Sequence, residues 1–138
     1  MKHIIDASWK GNMKFEADVD GHSVVVDATS EGGGEDAGPR PKRLMLVALA
    51  GCTGMDVVSL LKKMRVDFDD LNIIVEGDVT EEHPKHYEKM HVIYKIKGKN
   101  LDIEKVKKAV DMSQEKYCGV SAVYKKAMEV TYEIVLEE

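Results

Sequence analysis

Residues 44–64, LMLVALAGCTGMDVVSLLKKM, constrain this chain more than any other stretch. From Leu44 to Met55 the apolar residues fall on every side of a helical wheel. A helix that is apolar all round needs neighbours on all sides, in a protein core or in a membrane. Gly51, Thr53, Gly54, Asp56 and Ser59 interrupt the run, whereas a spanning helix wants ~20 mostly apolar residues. The length excludes a short strand, and the Ala and Leu content favours helix. The reading is a buried central helix around which the rest packs. Beyond Asp56 the pattern turns one-sided. Val57, Leu60, Leu61 and Met64 recur at helical spacing with Lys62 and Lys63 opposite, so this end should emerge toward solvent. Cys52 lies in the buried part, flanked by Gly51 and Gly54. Each glycine inside a helix costs roughly 1 kcal/mol against alanine. Together they leave room for another backbone or a ligand.

The remaining bounds are broad. A chain of 138 residues suggests one domain, 1–138, with a real core. A net charge of −5 does not favour a nucleic-acid partner. The opening residues MKHIIDASWK lack the apolar segment of a signal peptide. With no spanning segment expected, a cytoplasmic location is the default, and no membrane partner is called for. Two cysteines do not make a disulfide scaffold; they are inert fillers or redox chemistry.

The chain opens with three short strands, 3–9, 13–19 and 22–28, joined at Lys10-Gly11-Asn12 and Asp20-Gly21 into a meander. Residues 30–41, SEGGGEDAGPRP, argue against regular structure. They read either as a flexible tether or as a substrate-side loop, because they feed straight into the Cys52 helix. Pro41 suits that helix's first turn. Strands follow at 69–79 and 87–97. The second alternates cleanly, with Met90, Val92, Tyr94 and Ile96 facing in. Asp102 can cap a helix running to about residue 116, with Val106, Val110 and Ser113 on one stripe. A break at 117–121 precedes a short helix, 120–127, and a closing strand, 129–136. The order β-β-β-α-β-β-α-α-β is an α+β arrangement: 1–28 meander, 29–41 loop, 42–138 core.

Cysteine is the first candidate for chemistry. Cys118 lies just before the short helix, where the positive end of the helix dipole lowers a thiol pKa. Gly119 beside it gives the backbone freedom to move. Two thiols, both next to glycine and both at the central helices, suggest a redox pair, although spacing alone cannot show that they meet. His83-x-x-His86 has a metal-like spacing but reads as solvated turn residues, so no metal is assigned. No phosphate-binding motif is present, since Gly32-Gly33-Gly34 lacks the following Lys, and no cofactor is implied.

Two motifs carry a resemblance. The helix LMLVALAGCTGMDVVSLLKK with Ala50-Gly51-Cys52, and AVDMSQEKYCGVSAVYKKA with Tyr117-Cys118-x-Val120-Ser121, resemble those of the OsmC/Ohr family, nearest its YhfA-like branch. Gly38-Pro39-Arg40-Pro41 resembles that family's loop into the first helix, and the strand order agrees over nearly the whole chain. The resemblance implies an OsmC-like fold and an intertwined homodimer with two active sites at the subunit interface. It implies a cysteine-based peroxidase acting on organic hydroperoxides, with Cys52 peroxidatic, Cys118 resolving and a dithiol as reductant. Two positions depart from the pattern. The peroxidases place a Glu where this chain has Lys42, and they use an Arg from the meander, whereas this chain has no Arg before Arg40. Lys10, Lys14, Arg40 and Lys42 are therefore the candidate activating cations. A second class of function also fits: a non-catalytic dimer that binds a small apolar or thiol-bearing ligand in the same cleft.

The over-apolar helix generates the first expectation. Leu44, Leu46, Val47, Leu49 and Met55 span more than one face, and one small sheet covers one side. Sedimentation at micromolar concentration is expected to give a dimer whose dissociation and unfolding coincide. A folded, stable monomer is the opposing result.

Overall fold

Asp20 and Gly21 both adopt positive φ, 54° and 83°, the pair of left-handed residues that a tight two-residue hairpin requires. They join β2 (Phe15–Val19) to β3 (His22–Val26), with Val19 opposite His22 and Phe15 opposite Val26. β1 (Asp6–Trp9) pairs with β2 on its other edge, completing the antiparallel meander β1-β2-β3. The computed structural model describes residues 1–138 and divides into two compact units, Met1–Met45 and Leu46–Glu138. The meander belongs to the first.

The third strand ends two residues earlier than its sequence suggests, because Asp27 turns inward. Its side chain is buried, 2% exposed. Oδ1 accepts the Ala28 N–H at 2.7 Å, and Oδ2 accepts those of Glu35 and Ala37, each at 3.1 Å. Burial pushes the carboxyl up, but the three N–H donors and the charge of Lys14 outweigh it and hold the pKa below its ordinary 3.8. Backbone bonds add to this, from Gly34 N to Thr29 O, Asp36 N to Ala28 O and Asp27 N to Pro39 O. A side chain at Gly34 would collide with the Ala28 carbonyl and the Asp27 carboxylate. The glycine-rich segment is thus a loop folded around one carboxylate, which corrects its reading as a flexible tether. It ends in a 3₁₀ turn, Pro41–Arg43, with Pro at the start where a missing N–H leaves nothing unpaired.

The second unit is built on α1 (Leu44–Lys63) and a mixed sheet. β4 (Asp70–Val79) pairs antiparallel with β5 (Tyr87–Lys97), and β5 pairs parallel with β6 (Glu129–Glu137). Parallel neighbours need a long crossover. Here it is α2 (Ile103–Met112), a π-helical turn (Ser113–Tyr117) and α3 (Gly119–Ala127). Asp102 caps α2 by accepting the Lys105 N–H at 3.3 Å. On β5, Met90, Val92, Tyr94 and Ile96 are all fully buried, as the alternation predicts. The helix expected to run to residue 116 changes to π geometry at Ser113.

The central helix buries one side within the single chain, as cover by one small sheet implies. Its buried residues are Leu49, Thr53, Val57 and Leu61, a single stripe at spacing four. Burying the three aliphatic members contributes roughly 1.5–3 kcal/mol each. Val47 is 62% exposed and Met55 77% exposed, so the helix is not surrounded within one chain.

Asp27 supplies a pH-dependent expectation. A carboxyl whose folded-state pKa is depressed contributes stability above its unfolded value and loses it as the pH falls through the folded one. Amide exchange at Ala28, Glu35 and Ala37 is expected to accelerate as the pH drops below the ordinary 3.8. Asp27→Asn should accelerate it already at neutral pH. Hydrogen–deuterium exchange that is the same in both proteins would show that the loop does not depend on this carboxylate.

Candidate functional site

The buried stripe of α1 carries one polar member, Thr53, and the residue before it is Cys52. The crossover from β5 to β6 brings Cys118 to this place. The two thiols lie close enough for each to influence the other. Both cysteines are free; Cys52 is half-buried and Cys118 is buried, 3% exposed.

Cys118 is the N-cap of α3. Its sulfur accepts the Ser121 N–H at 3.3 Å, the bond a serine or aspartate usually makes at this position. The sequence argument from the helix dipole gives Cys118 a lowered pKa, and the structure reverses it. Burial is the largest effect, and with the neighbouring Cys52 it outweighs the Ser121 and Val120 N–H groups, so the thiol is pushed up to about 11. At neutral pH Cys118 is therefore protonated and can donate its S–H to Cys52. Gly119 has no positive φ, and a side chain there would meet open space.

A buried chain of polar side chains runs from Thr53, next to Cys52, to Ser121, next to Cys118 in the fold. Ser113 Oγ donates to Asp56 Oδ2 at 2.9 Å. Thr53 Oγ1 lies 2.7 Å from Ser113 Oγ and 2.6 Å from the Tyr94 hydroxyl. Gln114 Nε2 donates to that hydroxyl at 2.6 Å, and Gln114 Oε1 accepts from Ser121 Oγ at 2.8 Å. Each hydroxyl has one proton and a carboxylate only accepts, so the direction is fixed. Ser113 gives its proton to Asp56, Thr53 donates to Ser113, and Tyr94 donates to Thr53. Burial also holds the Tyr94 phenol above its usual pKa, which keeps it a donor. Thr53, Tyr94, Ser113 and Ser121 are fully buried and Gln114 is 3% exposed. The π turn brings Ser113 and Gln114 into this set, and Lys125 Nζ donates to the Gln114 carbonyl at 2.6 Å. Sequence reasoning placed Ser113 on a helical stripe and Tyr94 on the inner face of its strand, and left out their hydrogen bonds. The available signal was polar residues, Thr53 and Ser113, at positions where the periodicity asks for apolar ones.

The candidate cations all belong to the N-terminal unit. Lys10 Nζ is 4.0 Å from Glu16 Oε2, Lys14 Nζ is 3.6 Å from Glu35 Oε2, and Arg40 is paired with Asp36. Lys42 lies in the 3₁₀ turn. His86 turns back onto its own loop, with Nδ1 2.7 Å from the Pro84 carbonyl.

The pKa of Cys118 gives a direct test. Thiolate is about one part in ten thousand at pH 7 for a pKa four units higher, so iodoacetamide should modify Cys52 first. Labelling of Cys118 should rise only as the pH approaches 11. A raised folded-state pKa also means stability that is fully present below the unfolded thiol's 9.0 and falls away as the pH climbs to about 11. Peptide mapping that finds both thiols equally labelled at pH 7 would refute this assignment.

Comparison with known proteins gives concordant likenesses. A family model described as OsmC-like protein matches residues 32–133. Protein YhfA of Escherichia coli K12 is 35% identical over 117 residues, covering 83% of this chain and 84% of its own. A hypothetical protein from Aquifex aeolicus VF5 superimposes with a TM-score of 0.83 at 30% identity over the whole of both chains. The organic hydroperoxide resistance protein OhrB of Bacillus subtilis superimposes with a TM-score of 0.63 at 18% identity, over 96% of this chain and 98% of its own.

Proposed function

Because the chain belongs to the OsmC-like protein family, we propose that it is a thiol-dependent peroxidase that reduces organic hydroperoxides. The observation that carries this reading is the juxtaposition of two free cysteines, half-buried Cys52 and buried Cys118, with Cys118 next to the buried polar chain. The fold shared with proteins named for organic hydroperoxide resistance supports it.

In this reading Cys52 is peroxidatic. Its thiolate attacks the distal oxygen of the hydroperoxide, the O–O bond breaks, and the organic fragment leaves as an alcohol once protonated. Cys52 becomes a sulfenic acid. Cys118 is resolving. Its sulfur attacks the Cys52 sulfur, the S–O bond breaks, and the displaced hydroxide leaves as water with the Cys118 proton. A dithiol then reduces the Cys52–Cys118 disulfide by exchange and is itself oxidised to a disulfide. The cation beside Cys52 comes from Lys10, Lys14, Arg40 or Lys42, since the chain has Lys42 in place of the glutamate of the peroxidase pattern and no Arg before Arg40. A lysine there acts as a point charge rather than a bidentate fork.

The working form is a cytoplasmic homodimer of a single 1–138 domain. The exposed apolar side of α1, with Val47 and Met55, supports a second copy as its cover. One observation favours a different class of function. Gly51, Gly54, Met55, Val58, Phe68 and Ile73 line an open groove of about 950 Å³, a size and lining suited to a small apolar ligand. In that reading the protein binds such a ligand and catalyses nothing.

One equivalent of an organic hydroperoxide distinguishes the two. The peroxidase is expected to form an intrachain Cys52–Cys118 disulfide, seen by peptide mapping without reduction. Cys118→Ser should instead pass through sulfenic to sulfinic acid at Cys52, because nothing resolves it. Cys52→Ser should abolish hydroperoxide consumption with a dithiol reductant. Both cysteines still reduced in folded protein after prolonged exposure would leave the binding reading.

A further inference from the structure

Thr53 is adjacent to Cys52, and it donates to Ser113. The Ser113 carbonyl in turn accepts the Cys118 backbone N–H at 2.8 Å, the bond that closes the π turn. The path from one cysteine backbone to the other is therefore Cys52, Thr53, Ser113, Cys118. A second path leaves the same threonine. It runs through the Tyr94 hydroxyl, Gln114 and the Ser121 side chain, and the Ser121 N–H ends on the Cys118 sulfur at 3.3 Å. Both paths are buried, and the carboxylate of Asp56 fixes their hydrogen-bond direction.

We propose that Thr53 is the positioning residue of the thiol pair, holding the backbones of Cys52 and Cys118 at the separation and orientation from which a disulfide forms. The proposal rests on the redox-pair reading above and adds to it a device outside the two cysteines. Thr53 touches neither the peroxide nor the reacting sulfurs in this scheme. It acts through Ser113 and Tyr94, which hold the π turn and the start of α3 against α1. An ordinary i→i−4 helix through residues 113–117 would displace Cys118 from its bond to the Ser113 carbonyl. The π turn is thus part of the device, as single π turns inside helices often are at functional sites.

The hydroxyl and the bulk of Thr53 are separable by substitution. Thr53→Val keeps the shape and removes the hydroxyl, whereas Thr53→Ser keeps the hydroxyl. Val57→Ala removes buried methyls one turn along the same stripe and serves as a control for lost stability alone. Two quantities are measured on each folded protein. The first is the equilibrium of the Cys52–Cys118 disulfide against dithiothreitol, which needs no peroxide. The second is the fraction of Cys52 trapped by dimedone after one equivalent of cumene hydroperoxide.

Thr53→Val is expected to lower the disulfide equilibrium constant about tenfold, the size of one net buried hydrogen bond. It should also raise the trapped sulfenic acid in proportion. Thr53→Ser should restore both, and Val57→Ala should move only the melting temperature. If Thr53→Val does not fold, Tyr94→Phe cuts the second path alone and is expected to lower the equilibrium in the same direction by a smaller factor. An equilibrium constant unchanged in the hydroxyl-less variant overturns the proposal, as does an equal fall in Val57→Ala. A shifted equilibrium in a protein that forms no sulfenic acid upholds the positioning role and sinks the peroxidase reading.

Discussion

The second unit depends on how one hydroxyl is satisfied. Thr53 stands in the middle of a stripe otherwise made of Leu49, Val57 and Leu61, all fully buried. An unpaired hydroxyl there would cost about 1–3 kcal/mol, so the surrounding elements have to bring partners to it. They do so from two directions, with Tyr94 from the sheet and Ser113 from the crossover. The three elements are thereby fixed in register, because a slip of either partner leaves several buried groups unpaired at once. Apolar contacts alone tolerate such slips far better.

That register is what gives the two cysteines a shared location. Cys52 comes with α1, and Cys118 arrives sixty-six positions later at the start of α3. Local burial sets the chemistry of Cys118 more strongly than the helix end does. A helix N-terminus stabilises a thiolate by a modest amount at an exposed site, whereas desolvation of a buried thiol acts on the whole charge. The balance here leaves Cys118 protonated. A protonated partner is a hydrogen-bond donor, and Cys52 is the neighbouring sulfur.

Much of this was legible in the sequence, for reasons that can be named. The alternation at Met90, Val92, Tyr94 and Ile96 defines a strand with one buried face, and the structure places that strand over Tyr87–Lys97. Asp20-Gly21 dictates a hairpin by its backbone preference alone, and the element order emerges as read. The motifs at Cys52 and Cys118 single out two free thiols that are neighbours in space. What was not legible depends on three dimensions. The fate of residues 30–41 is decided by Asp27, whose burial no local pattern announces. The wheel of α1 records which residues are apolar and not which neighbour covers each of them; Met55 is 77% exposed in the single chain. The π turn escaped because Ser113 fits an ordinary helical stripe, and its bond to Cys118 skips one residue beyond the usual period.

The parallel pairing of β5 with β6 has a consequence for biosynthesis. Val92 meets Tyr132 and Ile96 meets Leu136, partners forty residues apart. The central strand of the sheet therefore waits, during translation, for the entire helical crossover and the strand beyond it to leave the ribosome. Pairings of such sequence separation form slowly, since loop closure precedes the contacts that reward it. Tyr94 lies on that waiting strand, so the polar chain and the thiol pair assemble among the last parts of the nascent chain. For that interval both cysteines are ordinary exposed thiols, open to oxidation and to mispairing. Until the sheet closes, the fold gives them no shelter.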